Sequence, residues 1–198
     1  MHRSLITRAL HAVLALVIVN QLAVSLFMER PVTGGLPENL AFEFHEVVGL
    51  TSVFVLGLFW GWTMLRREEH GLATMVPWFS TSRRRALLAD VRDHLHSLRR
   101  LRLPIPGSET PLANAVHGLG LMIASAMALT GAGIFVATDV SGSIIGVGET
   151  LLEVHSTLAT VMWAYLIGHA VVAIAHEITG HRVLERILFI RRRSARKT

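Results

Sequence analysis

The chain has 198 residues, of which 52% are hydrophobic and only 17% charged, against about a quarter charged in an ordinary soluble domain. It has no Cys, which excludes disulfides, cysteine-ligated iron-sulfur clusters, thiolate zinc sites and haem attached covalently through a C-x-x-C-H motif. The formal charge of +5 would suit an acidic partner such as nucleic acid, so the basic residues have to be placed along the chain before that charge is read.

The hydrophobic excess lies in four runs free of Asp, Glu, Lys and Arg, which a soluble domain of this size could not bury and a bilayer accepts. A soluble enzyme is thereby excluded. The first run, residues 9–28, is about long enough to cross a hydrocarbon core of roughly 30 Å. It is longer than the apolar part of a signal peptide and leads into Glu29-Arg30-Pro31 rather than a small-residue cleavage site, so it is expected to be retained. The second run is 47–65, with Glu43, His45 and Glu46 at its entrance. The third, 112–138, carries Gly118, Gly120, Gly131 and Gly133, small residues that let helices approach closely. The fourth is 154–175. Each is expected to be a helix, because an open strand cannot satisfy its backbone in lipid.

Between the second and third runs lies a 66–111 segment with nine Arg. Within 83–102, Leu87, Leu88, Val91, Leu95 and Leu98 recur at helical spacing while Arg and His fill the other face. This predicts a basic amphipathic helix on the membrane surface, in contact with lipid or with a partner. The tail at 182–198 is basic as well. Of the 19 Lys and Arg, only Arg30 falls in the first or third connection; all others fall at the N-terminus, in the 66–111 loop or in the tail. Positive residues mark the cytoplasmic side, so both termini and the long loop are expected there. The basic charge is then a topology signal, and no nucleic acid is expected as partner. The fold expected is an all-α integral membrane bundle of four helices, one membrane domain over 1–198.

Five of the 11 His lie in or at the apolar runs: His11, His45, His117, His155 and His169. An imidazole in lipid needs a ligand, a hydrogen bond or a water path, so each is expected to face the bundle interior. His155 and His169 are 14 residues apart, which puts them on one helix face and about 21 Å apart along its axis. By depth, His11 matches His169 near the cytoplasmic side and His45 matches His155 near the other. Two imidazole pairs at two depths suit two planar cofactors, and haem with two axial positions is the natural occupant of each. Without Cys it would be non-covalent haem b. Gly49, one turn after His45, leaves room for a macrocycle edge. A bare ion is disfavoured, since two His with no adjacent carboxylate give too few ligands. His117 reads equally as a further ligand, a quinone hydrogen-bonding group or a packed polar residue.

These residues resemble the bacterial di-haem cytochrome b family, which includes the free-standing cytochrome b-561 proteins and the cytochrome b subunits of nickel-iron hydrogenases. The resemblance runs from Arg8 to Arg186. It rests on Arg8-Ala9-Leu10-His11, on His45-Glu46-Val47-Val48-Gly49, on Thr130-Gly131, and on His155 with His169 in the fourth span. It implies a four-helix bundle in the bacterial inner membrane with two b haems, His11 and His169 as metal ligands of the inner one and His45 and His155 of the outer. It also implies single-electron transfer to or from a quinone, either as a free-standing quinone oxidoreductase or as the membrane anchor of a dehydrogenase or hydrogenase complex. His117 is similar to an extra His of the free-standing type, while the long basic loop suits a dehydrogenase or other redox partner subunit. A His-containing transporter is the rival from another class, and it would need mid-membrane ionisable groups or broken helices, neither of which is evident.

Overall fold

A computed structural model of the chain describes residues 4–28, 40–65, 72–100, 110–139 and 142–180. The described residues are almost wholly helical: α1 (Leu5–Ser25), α2 (Leu40–Leu65), the short α3 (Leu72–Met75), α4 (Thr81–Arg99), α5 (Pro111–Val136) and α6 (Val147–Ile178). Four of them, α1, α2, α5 and α6, are long and apolar enough to cross a membrane. Their outward faces stay apolar and exposed, as Leu16, Phe54 and Leu129 illustrate at about 70% exposure each. Such faces suit hydrocarbon and would be unstable in water. The basic tail lies outside the described residues.

Helices α2 and α6 run further than the charge-free stretches that signal them. Helix α2 begins at Leu40 and α6 at Val147, each seven residues ahead of its apolar run. The early turns accept Glu43, Glu46, Glu149 and Glu153, of which Glu43, Glu149 and Glu153 are exposed, so the backbone stays helical where the side chains are polar. With 32 residues, α6 is about 48 Å long and outreaches a hydrocarbon core of about 30 Å.

Local chemistry fixes the helix ends. Ser4 accepts from the Thr7 N–H at the start of α1. Helix α5 opens with Pro111 at a position whose N–H would have no helical partner, and the Thr110 hydroxyl accepts from the Ala113 N–H. A second cap comes from α4: Asp90 Oδ2 accepts from the Leu112 N–H at 2.8 Å. A carboxylate at a helix N-terminus also offsets the helix dipole, so Asp90 ties the surface helix to the start of α5. Helix α4 is held by its Leu87, Asp90, Val91, His94 and Ser97 side, all half-buried, and leaves Arg84, Arg85, Arg92 and Arg99 exposed. Between α5 and α6 the chain turns tightly. Asp139 Oδ1 accepts from the Ser143 N–H, Thr138 bridges to Ile144, and Gly142 and Gly146 take positive φ values of 80° and 57° that a side chain would strain.

The close seams are α1 with α2, α2 with α5, and α5 with α6. Each helix runs antiparallel to the next, so the starts of α1 and α5 share one end of the bundle, the near end, with the closes of α2 and α6. Side-chain hydrogen bonds cross these seams: Trp62 Nε1 donates to Thr7 Oγ1 at 3.0 Å, Trp60 Nε1 to Ser125 Oγ at 2.9 Å, and Tyr165 Oη to the Val116 carbonyl at 3.2 Å. The common core is Leu14, Leu22, Leu56, Phe59, Leu121, Ala124 and Met162, with Met162 the most deeply buried. Two glycines of α5 let neighbouring segments approach closely. A Cβ on Gly118 would run into the Met75 carbonyl, so Gly118 seats the segment after α2; a Cβ on Gly120 would run into the Tyr165 ring, so Gly120 admits that ring against the helix.

Candidate haem-binding sites

The five membrane histidines gather at two levels. At the far end, His45 of α2 and His155 of α6 face each other with ring centroids 6.3 Å apart. At the near end, His11 of α1 and His169 of α6 stand 6.5 Å apart. There His117 of α5 joins them, 6.0 Å from His11 and 5.4 Å from His169. The ligand atoms of these three all lie within 4.8 Å of one another. Depth and helical phase thus pair His11 with His169 and His45 with His155; that His117 enters the same cluster takes the three-dimensional packing of α5 against α6.

The far pair opens on a cavity of about 340 Å³ lined by all four long helices, including Gln21, His45, Gly49, Gly131, His155 and Met162. Its lining is mainly aliphatic with a few polar groups, the usual make-up of a cofactor site. Gly49 lies on its wall, and a Cβ there would stand 3.5 Å from Gln21 Nε2. Gly131 is similar: a Cβ would sit 3.3 Å from His155 Cε1. Gly131 therefore keeps the space beside the His155 imidazole open, while a methyl at Gly49 would only touch the Gln21 amide.

Hydrogen bonds set the ring nitrogens. Thr130 Oγ1 lies 2.8 Å from the Ala126 carbonyl and 3.0 Å from that of Met127, so its one proton points to the backbone of its own helix. Its lone pair is left for His155 Nδ1 at 2.9 Å, which must then carry the proton and donate. The Nε2 of His155 keeps its lone pair, the form in which an imidazole binds a metal. His117 is set in the same way, since its Nδ1 lies 2.6 Å from the Ala113 carbonyl and a carbonyl can only accept. Around His45, Gln21 Nε2 donates to the backbone carbonyl at 2.9 Å. The His45 Nδ1 itself is buried with no hydrogen-bond partner among the described residues. An imidazole nitrogen left so in an apolar site is costly unless a ligand or water completes it. At the near end, Tyr165 stacks on His169 with centroids 5.6 Å apart and planes within 12°.

These donor sets fit haem. Two imidazoles on opposite sides of one iron, at metal-nitrogen bonds of about 2 Å, have ring centroids about 6 Å apart. The His45 and His155 rings and the His11 and His169 rings both meet that spacing. Neither of these pairs spans one of the close helix seams; the far pair lines the cavity, and the near pair has the His117 ring beside it. With no Cys in the chain, neither site offers a covalent attachment.

The family profile described as prokaryotic cytochrome b561 matches residues 2–189, nearly the whole chain. No curated protein and no solved structure gives a significant match. The four long apolar helices, the imidazole pairs and the extent of the match agree: the chain belongs to the prokaryotic cytochrome b561 family and is a multi-pass membrane cytochrome of the b type, an electron-transfer protein.

Proposed function

We propose that this cytochrome holds two b haems, His11 with His169 at the inner site and His45 with His155 at the outer, and passes single electrons across the bacterial inner membrane to or from quinone. The observation that carries the reading is the pair of facing imidazoles at each end of the bundle, 6.5 Å and 6.3 Å between centroids, on helices that share no close seam. Bound iron would supply reversible one-electron oxidation and reduction, with His11 and His169 holding it at one site and His45 and His155 at the other. The lopsided distribution of Lys and Arg supports cytoplasmic termini, which makes the His11 level the inner one.

The chain's own residues do the rest. Thr130 keeps the His155 ring in the ligating tautomer, and Gln21 fixes the backbone that carries His45. Gly131 keeps the outer cavity open beside His155, as a flat ring system requires. Arg8, one turn ahead of His11 and half-buried, offers a cation for the carboxylates that haem b carries. Between the two levels the core closes around Leu14, Leu121 and Met162, which excludes water. Such a layer bars protons and ions while leaving electrons a path through packed side chains. His117 is the candidate hydrogen-bonding group for a quinone ring near the inner site.

The exposed arginine face of α4 favours a second reading, in which the same cytochrome is the membrane anchor of a dehydrogenase or hydrogenase and α4 meets the partner subunit. The test of the main reading is the pigment itself. Purified protein should show a reduced b-type spectrum with about two haems per chain, and His11→Ala and His155→Ala should each remove one. Protein that stays colourless in excess haem defeats it. Co-purification of a hydrophilic redox subunit, lost on neutralising the α4 arginines, would decide for the anchor.

A further inference from the structure

The segment between α2 and α5 is fastened to α5 at two points, and together they give its depth. Asp90, in the middle of α4, accepts from the N–H of Leu112, the residue at which the charge-free run of α5 begins. Met75, the last residue of α3, packs on Gly118, six residues and about 9 Å further along α5. The chain therefore passes beside the apolar part of α5 before it enters α4, and α4 meets α5 where hydrocarbon gives way to headgroups. Between the two points Pro77 is buried, while Phe79, just before α4, is 90% exposed. A bare aromatic ring at that level suits lipid rather than water.

Helical phase divides the surface of α4 into sectors. Leu87, Asp90, Val91, His94 and Ser97 form the half-buried side. Next to it come Leu88, Leu95 and Leu98, at 67%, 54% and 49% exposure, in a stripe about 80° wide. Beyond the leucines run Arg85, Arg92 and Arg99, all exposed and spaced every seven residues, in a stripe about 40° wide. Among the described residues none of these three arginines makes an ion pair. The remaining side holds Ser82, Ala89 and Asp93. Around the helix the order is protein, apolar surface, cation and polar surface, which matches bundle, acyl chain, phosphate and water at a membrane boundary. A hydrophilic subunit would call for the arginines alone and gives no reason for three bare leucines at this depth.

We propose that α4 is a binding surface for anionic phospholipids, with Leu88, Leu95 and Leu98 in the acyl region and Arg85, Arg92 and Arg99 on the headgroup phosphates. The Asp90 bond to Leu112 then ties the lipid-bound helix to the start of a membrane span. This reading does not depend on the haems, and it competes with a partner subunit for the same arginines.

The chain has no Cys, so one introduced Cys carries a spin label at one chosen place. Full-length protein is put into bilayers of phosphatidylcholine and phosphatidylglycerol in equal amounts. Labels on Leu88→Cys and Leu95→Cys should collide more with oxygen, which dissolves in hydrocarbon, than with a nickel chelate confined to water. Labels on Ser82→Cys and Asp93→Cys should show the reverse. Among the lipids that stay bound through mild detergent extraction, the wild type should favour phosphatidylglycerol. The triple variant Arg85→Gln, Arg92→Gln, Arg99→Gln should lose at least fivefold of that preference, since one Arg at an anionic surface is worth roughly fivefold in binding. Far-UV circular dichroism checks the fold, and should the triple variant unfold, Arg92→Gln alone gives the same reading in smaller degree. The proposal is overturned by leucine labels as open to the chelate as the label on Ser82→Cys, by a wild type with no lipid preference, or by a folded triple variant that keeps it. Leucine labels shielded from both oxygen and chelate by a co-purifying hydrophilic subunit would overturn it as well and give the face to a protein partner.

Discussion

Thr130→Val removes the side-chain hydrogen bond to His155 at the outer site. Valine keeps the branched shape of threonine but removes the hydroxyl, which stands 2.9 Å from His155 Nδ1 and also donates to its own helix. Two magnitudes are in competition. If the contact were only a stitch between α5 and α6, its loss would cost about 0.6 kcal/mol, the average for such bonds between membrane helices, or about threefold in an equilibrium constant. If Thr130 fixes the tautomer and orientation of a metal ligand, the loss is roughly 10–100-fold in affinity for the group it holds. The geometry favours the larger figure. Thr130 spends its only proton on its own helix, so the lone pair offered to His155 is the reason for that contact, and the imidazole that loses it is half-buried. The assay is the rate at which haem leaves each site for an excess of a haem-scavenging protein, followed optically. The outer haem of Thr130→Val should be lost at least tenfold faster, the inner haem should be unchanged, and Thr130→Ser should restore the wild-type rate. Loss below threefold, or equal loss from both sites, would refute the role given to Thr130.

Other perturbations separate positions that look alike in the sequence. Gly118→Ala and Gly120→Ala should both destabilise the bundle by more than 1 kcal/mol, since each methyl meets fixed atoms, whereas Gly61→Ala, with nothing within 4 Å, should be neutral or stabilising by up to about 1 kcal/mol; thermal unfolding in detergent compares them. Gly131→Leu should lose the outer haem with the inner one retained, while Gly131→Ala should keep both because its methyl needs only a few tenths of an ångström, as haem content would show. Asp90→Ala should cost about 1 kcal/mol by uncapping α5 and should speed proteolysis within α4. Gln21→Leu should speed release of the outer haem, because the His45 carbonyl loses its donor.

Much of this protein is written in its side-chain pattern, and the exceptions have physical causes. Charge-free runs report what hydrocarbon will accept, not where a backbone stays helical, so α2 and α6 begin seven residues before their runs and carry glutamates in their first turns. Histidine phase is a property of one helix and can be read directly: 14 residues between His155 and His169 put both on one face of α6. Matching depth then pairs them with His45 and His11. What depth cannot supply is lateral position, and the entry of His117 into the near cluster depends on how α5 is rotated against α6. Contacts between distant residues are equally silent in the sequence. The Thr130 bond to His155 crosses 25 residues and the Asp90 cap on Leu112 crosses 22, and no local pattern announces either. The glycines of the third span are legible as small residues at a packed interface. Their individual partners, the Met75 backbone for Gly118 and the Tyr165 ring for Gly120, emerge only from the fold.

The central claim is two haems held by imidazole pairs at two depths, and haem counting in wild type and His155→Ala tests it most directly. The wild-type chain should carry about two haems, both low-spin, and His155→Ala should keep about one low-spin haem whose spectrum matches the inner component of the wild type. A wild-type chain with one haem, or a folded His155→Ala chain that holds two or none, would contradict it.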